Sequence, residues 1–121
     1  EINIARDIES LLLKRGVTNF KNLADKTNIQ ELINQFQSLD LLITGDSGPM
    51  HIAAALEVPT VSIFGPTNKD ETSQWLNKKS IVINKKLECQ PCMKRECPLK
   101  HHNCMKMISE LDVLNAIKQL K

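Results

Sequence analysis

The sequence has no apolar run approaching the roughly 20 residues needed to cross a bilayer, and its N-terminus lacks a secretory-signal pattern. A spanning helix is excluded, and the chain is expected to work in the cytoplasm. A charge excess of one sign is missing too, since 16 Lys and Arg stand against 14 Asp and Glu for a net charge of +2. That balance gives no ground for a nucleic-acid partner and leaves anionic ligands or acidic membrane surfaces as local matters. No cysteine lies outside Cys89 to Cys104, whereas a disulfide-stapled secreted domain spreads its cysteines through the chain. Internal repeats and low-complexity segments are absent. The chain starts at Glu1 rather than at a methionine and enters a helical pattern at once, so a piece of a longer protein is expected. Its 121 residues suffice for one domain whose core does not depend on disulfides or metal.

What is present has the pattern of an α/β protein. Ile4, Ile8, Leu11 and Leu12 recur at helical spacing and Gly16 follows Lys14 and Arg15 as a stop, so the first element reads as a helix. Asn19 to Ala24 alternates briefly, as a short strand would. Thr27-Asn28-Ile29-Gln30 has the form of a capping box headed by Thr27, followed by a stripe at Ile29, Leu32, Ile33 and Phe36 and a helix end near Leu39. Leu41 to Thr44 and Thr60 to Phe64 are short continuous apolar runs, as suits parallel strands buried on both faces. Between them Pro49 to Leu56 reads as a helix apolar nearly all round, hence a buried one. This succession is a βαβ unit with a right-handed crossover. Ser80 to Ile83 offers a third strand, and a closing helix opens at Ser109 with Val113, Leu114, Ile117 and Leu120 as its buried face. The fold class expected is α/β, a parallel sheet flanked by helices.

Ligands of open α/β sheets bind outside the carboxyl ends of the strands, and Gly45-Asp46-Ser47-Gly48 is the turn at such an end. Pro49 suits the first helical position, which makes Gly48 the expected N-cap. A glycine cap leaves the N–H groups of Met50 and His51 uncovered and lets a ligand approach the backbone, so the helix start is open to an anion. Asp46 repels a phosphate and suits sugar hydroxyls beside it. The bland reading of the same residues is local: Asp, Ser, Gly and Pro dominate turns, and a histidine at a helix start is commonly just hydrogen-bonded.

The stretch TGDSGPMHIAAALEVPTVSIFGPT resembles the signature of the bacterial ADP-heptose:lipopolysaccharide heptosyltransferases, particularly the heptosyltransferase II type. A second stretch, ECQPCMKRECPLKHHNCMKMIS, is similar to the cysteine-bearing segment that precedes the last helix of that family. The resemblance implies one half of a GT-B type glycosyltransferase built from two Rossmann-like domains. Residues 1–121 would be the latter part of the C-terminal, nucleotide-sugar-binding domain, with a cysteine-bearing loop at 87–106. It further implies an ADP-heptose donor and a lipid A-core acceptor held by the other domain, which also supplies the catalytic base. No cofactor is implied, and the site leaves room for peripheral contact with the inner membrane. By resemblance Ser47 and Gly48 contact the donor pyrophosphate, Asp46 the heptose, and His51 flanks the phosphates, with Pro49 and Met50 completing the block. The reaction implied inverts the anomeric centre, with the N–H groups of Met50 and His51 stabilising the departing ADP. Gly45 departs from the asparagine more usual there, so no side-chain contact is expected from it. Lacking the base, this chain alone is expected not to transfer heptose.

Gly65-Pro66-Thr67 ends the next strand and should face the same cleft, unless it is an ordinary turn. Lys69, Lys78 and Lys79 read as solvated surface, and Trp75 as a packing anchor with adenine stacking as its second reading. Cys89, Cys92, Cys97 and Cys104, with His101 and His102, supply enough soft ligands for a zinc or iron–sulfur site. Their C-x2-C-x4-C-x6-C spacing matches no common pair of zinc knuckles, and reduced thiols, with Cys89 and Cys92 oxidising in air, explain it as well. The rival reading of the whole chain is therefore a small cysteine-rich, metal-binding interaction module without catalytic activity.

Overall fold

The computed structural model describes residues 2–72 and 77–120, so Trp75 lies outside the described residues. Two units divide the chain, residues 1–34 and 35–121.

In the first unit, helix α1 (Ile2–Lys14) ends as its glycine predicts. Gly16 takes φ +77°, its N–H donates to the Leu13 carbonyl, and the Val17 N–H donates to the Leu12 carbonyl at 3.0 Å. This is the double bond of a Schellman cap. The strand expected at Asn19–Ala24 is not formed. Asn22 instead closes the segment locally: its side-chain oxygen accepts from the Ala24 N–H, and its amide donates to Glu9 at 2.7 Å. Helix α2 (Ile29–Gln37) is capped by Asn28 rather than Thr27, with Asn28 Oδ1 accepting from the Glu31 N–H at 2.8 Å. It stops two residues before Leu39, within the usual fraying of helix ends.

The second unit carries a parallel sheet of order β1-β2-β3, formed by β1 (Leu42–Gly45), β2 (Thr60–Ile63) and β3 (Ser80–Ile83). The register pairs Leu42 with Thr60 and Thr60 with Ser80, so the three carboxyl ends share one edge. Helix α3 (Gly48–Ala55) joins β1 to β2 and packs on both. The βαβ unit and the third strand are as the apolar runs predict, but β1, at the sheet edge, leaves Ile43 47% exposed rather than being buried on both faces. The short helices α4 (Lys69–Thr72) and α5 (Asn103–Lys106) precede the longer α6 (Glu110–Leu120). Val61 and Ile83 form one core with Ala116 of α6, joined by Ile63, Ile81, Val113, Ile117 and Leu120. Thr60, Ser62 and Phe64 alternate to the opposite side, and the buried residues of α3, Met50 and Ala53, take no part in the α6 cluster. Helices thus cover both faces, the α/β layering expected.

Two details differ from expectation. Leu114 is exposed and Ala116 takes its place in the core, because the stripe that faces the sheet runs through 113, 116, 117 and 120. Helix α3 is buried along one face only, with His51 and Ala55 exposed. Ser109 does open α6: it exchanges reciprocal bonds with Asp112, and Lys85, just past β3, reaches the Asp112 carboxylate at 2.8 Å. No described helix is long and apolar enough to cross a membrane.

Candidate functional site

The β1–α3 turn sits on the carboxyl edge of the sheet, as the βαβ pattern requires. Ser47, not Gly48, is the N-cap, with extended backbone (φ −157°, ψ 173°), and its side chain makes no capping bond. Its hydroxyl lies 3.4 Å from that of Thr44 instead. The one-residue correction places Pro49 second in the helix, a position the proline ring also tolerates. It changes which N–H groups are available. The Met50 N–H donates to the Ser47 carbonyl at 3.1 Å. The Met50 N–H is therefore not the open donor expected, while Gly48, first in the helix, has an N–H that the helix itself does not use. Met50 is fully buried, so its side chain anchors the turn from beneath rather than lining a site. Ser47, Gly48 and His51 are exposed and Asp46 is half-buried.

Gly48 has no positive φ, and a Cβ built on it would meet nothing within 4 Å. Neither backbone conformation nor packing calls for glycine there.

The next turn is occupied differently. Gly65 is buried, and an added Cβ would stand 2.6 Å from the Met105 sulfur and 2.9 Å from its Cγ. The cysteine segment lies over this turn. Gln90 Nε2 donates to the Gly65 carbonyl and the Met93 N–H donates to the Pro66 carbonyl at 2.8 Å. Gly65 and Pro66 therefore support the cysteine segment, while Thr67 looks into a separate cavity of about 200 Å³ beside the ends of β2 and β3. That cavity is lined by Thr67, Lys69, Asn84, Lys86 and Gln90 among others, and no reading of the sequence singles out the last three. They come from the segment after β3, which strand pairing brings beside the turn that follows β2. Thr67 Oγ1 is buried with no hydrogen-bond partner among the described residues. Lys69 is not simply solvated surface: it lines the cavity and pairs with Asp70 at 3.1 Å. Lys78 and Lys79 are exposed as expected.

All four cysteines are free thiols, and all four line a second cavity of about 120 Å³ with Lys94 and Arg95 on its wall. The backbone N–H of His102 holds the Cys97 thiol below its usual range against an opposing push from burial, helped by the N–H groups of His101, Leu99 and Lys100. The Cys104 thiol is pushed up, first by burial and then by the neighbouring Cys92, Cys89 and Cys97. His101 Nδ1 accepts from the Asn103 N–H at 3.0 Å, which puts the proton of the neutral ring on Nε2. Among the described residues, no three His, Cys, Asp or Glu side chains are drawn together as the ligands of a bound ion.

A family model described as glycosyltransferase family 9 (heptosyltransferase) matches residues 3–103. The chain belongs to glycosyltransferase family 9. Lipooligosaccharide heptosyltransferase 2 of Campylobacter jejuni subsp. jejuni serotype O:6 is 42% identical over 120 residues, covering 99% of this chain and 38% of that protein. Lipopolysaccharide heptosyltransferase 1 of Campylobacter coli is 35% identical over 102 residues, covering 81% of this chain and 28% of that protein. Among solved structures, a family 9 glycosyl transferase from Veillonella parvula aligns with a TM-score of 0.63 at 30% identity, covering 74% of this chain and 25% of that one. The chain thus spans well under half the length of the relatives it matches. The family match reaches the β1–α3 turn, the sheet and the cysteine segment alike, and nothing in these likenesses favours a stand-alone metal-binding module.

Proposed function

We propose that this chain is the donor-binding portion, within the C-terminal half, of a GT-B glycosyltransferase that moves heptose from ADP-heptose to the lipopolysaccharide inner core. Gly48 carries the reading. A residue whose glycine identity serves neither the backbone nor the packing stands where the backbone begins a helix. A diphosphate needs that open space to reach the Gly48 N–H. The positive end of α3 contributes about 0.3–1 kcal/mol to a nearby anion, and a hydrogen bond to a charged oxygen about 1.5–3 kcal/mol.

Each neighbouring residue then has a task that its chemistry suits. Ser47 offers its hydroxyl to the same phosphates. Asp46, one residue nearer the strand, accepts from the heptose hydroxyls, a role that keeps its charge off the diphosphate. His51, exposed in the first turn of α3, flanks the phosphates. Pro49 holds the first turn in helical φ, and the buried Met50 fixes it to the sheet. As the sugar leaves with inversion, charge grows on the ADP, where the helix end and the Gly48 N–H are already oriented to meet it. Thr67 and Lys69, on the wall of the neighbouring cavity, extend the polar surface along the same sheet edge for the rest of the donor. The lipid A-core acceptor and the base belong to the opposing half, and the work is done in the cytoplasm with peripheral access to the inner membrane.

The test is transfer itself. Protein expressed from its complete reading frame is incubated with ADP-heptose and a heptose-acceptor core, and ADP release and product mass are followed. Transfer that is lost with Asp46→Ala supports the reading. Release of a different nucleotide, or no use of ADP-heptose by folded protein, overturns it.

A further inference from the structure

We propose that Cys89, Cys92, Cys97 and Cys104 form one tetrathiolate site for a soft metal centre, either Zn2+ or an iron–sulfur cluster, that fastens residues 87–107 to the β2 turn. The four side chains line one cavity, all are free, and the sequence has no other cysteine. Reduced thiols packed for burial would not need to line a common void. Nor is this wall built like a core: Lys94 and Arg95 share it, and the segment around it is largely exposed. Four thiolates around a divalent ion, or around an oxidised four-iron cluster, carry a net charge of −2, which two flanking cations offset.

The backbone supplies the second half of such a site. Lys100 and His102 take positive φ (+60° and +52°) without being glycine, in a turn that the Lys100 N–H closes on the Cys97 carbonyl at 3.0 Å. Turns with left-handed residues of this kind form the backbone nests that hold anionic sulfur in iron–sulfur and related sites. Met93 likewise takes φ +59° directly after Cys92 and sends its N–H to the Pro66 carbonyl. The four thiols complete a tetrahedral set by themselves, and His101 Nδ1 is already engaged by the Asn103 N–H. The side chains stand apart as they are, so coordination draws the thiolates inward by rotation about their Cα–Cβ bonds, and each ligating thiol releases its proton to solvent. The consequence is structural. With Gln90 bonded to Gly65 and Cys104 and Met105 against it, a metal centre here locks one wall of the Thr67 cavity in place. It would do so whether or not the protein transfers heptose.

The experiment purifies the protein from its complete reading frame without oxygen or added metal. It then measures zinc, iron and acid-labile sulfide per chain, with the visible spectrum. One zinc per chain with a colourless spectrum identifies the ion, and stoichiometric iron with equal sulfide and sulfur-to-iron absorption identifies the cluster; either supports the site. Where zinc is found, replacement by Co2+ should give the intense red-region bands of tetrahedral sulfur ligation. Cys97→Ser and Cys104→Ser should each lower metal content at least tenfold, while His102→Ala keeps it. Wild-type protein that is folded, holds no stoichiometric metal and offers four rapidly titrating thiols overturns the proposal. So does metal retained in both serine variants. The wild-type measurement stands even if a serine variant fails to fold.

Discussion

Gly65→Ala isolates the docking of the cysteine segment from the rest of the fold. Gly65 has no positive φ, so the added methyl brings no backbone strain, only contact: 2.6 Å to Met105 Sδ, 2.9 Å to Met105 Cγ and 3.5 Å to Cys104 Sγ. The last is ordinary packing, while the first two force a movement. Met105 is flexible and 46% exposed, so it can swing aside, which puts the cost at the low end of the roughly 1–3 kcal/mol for overpacking, about 1 kcal/mol. Global stability changes less, because alanine also removes unfolded-state freedom worth about 0.4–1 kcal/mol. That compensation does not act on local opening of the segment. The Met93 N–H, bonded to the Pro66 carbonyl, reports it through hydrogen exchange followed by mass spectrometry or NMR. A loss of about 1 kcal/mol should speed its exchange about fivefold. In Gly65→Ala with Met105→Ala the clash is gone, and exchange should return to that of Met105→Ala alone. Unchanged exchange in Gly65→Ala, or purely additive effects in the double variant, would refute the contact.

The Lys85–Asp112 pair predicts a pH dependence. Lys85 first, and then the Ser109 N–H, hold the Asp112 carboxyl below its usual range, so its stabilising effect is complete above the ordinary carboxylate pKa and fades as pH falls towards the depressed value. Melting temperatures of wild type and Asp112→Asn should therefore differ near neutrality and converge in acid, and Lys85→Met should move the Asp112 titration upward by NMR. Glu57, just past α3, takes φ +57° in a cap where the Val58 N–H reaches the Ala53 carbonyl at 2.9 Å. Glu57→Gly relieves about 1–2 kcal/mol of left-handed strain against about 0.5–1 kcal/mol of added unfolded-state entropy, so urea unfolding should show a gain of about 0.5 kcal/mol. A loss of stability would mean that the Glu57 side chain does more than occupy the cap.

The sheet was legible because Leu41–Thr44, Thr60–Phe64 and Ser80–Ile83 are short apolar runs flanked by turn residues, the pattern of parallel strands, and the strands form within a residue of them. Caps were legible only to within a residue. Thr27 and Asn28 are both good caps, and Gly48 and Ser47 both precede a proline that either of the first two helical positions accepts; the choice is made by geometry that neighbouring residues share. The turn itself was found through its position, but the engagement of the Met50 N–H was not. The bond from Met50 back to Ser47 is a consequence of where the helix starts, and it leaves the Gly48 N–H outside the helix's own bonds. Covering of Gly65 by Met105 could not be read at all, since it joins residues that touch only after the segment following β3 folds back over β2. Asn84, Lys86 and Gln90 escaped for the same reason.

The most direct test of the donor site is a calorimetric titration of ADP into wild-type protein and Gly48→Val, both made from the complete reading frame and checked for folding by circular dichroism. Open space around the Gly48 Cβ predicts an unchanged fold. Obstruction of one hydrogen bond to a charged oxygen, about 1.5–3 kcal/mol, predicts affinity at least tenfold weaker. Equal affinity for ADP in the folded variant would contradict the assignment of the diphosphate to the start of α3.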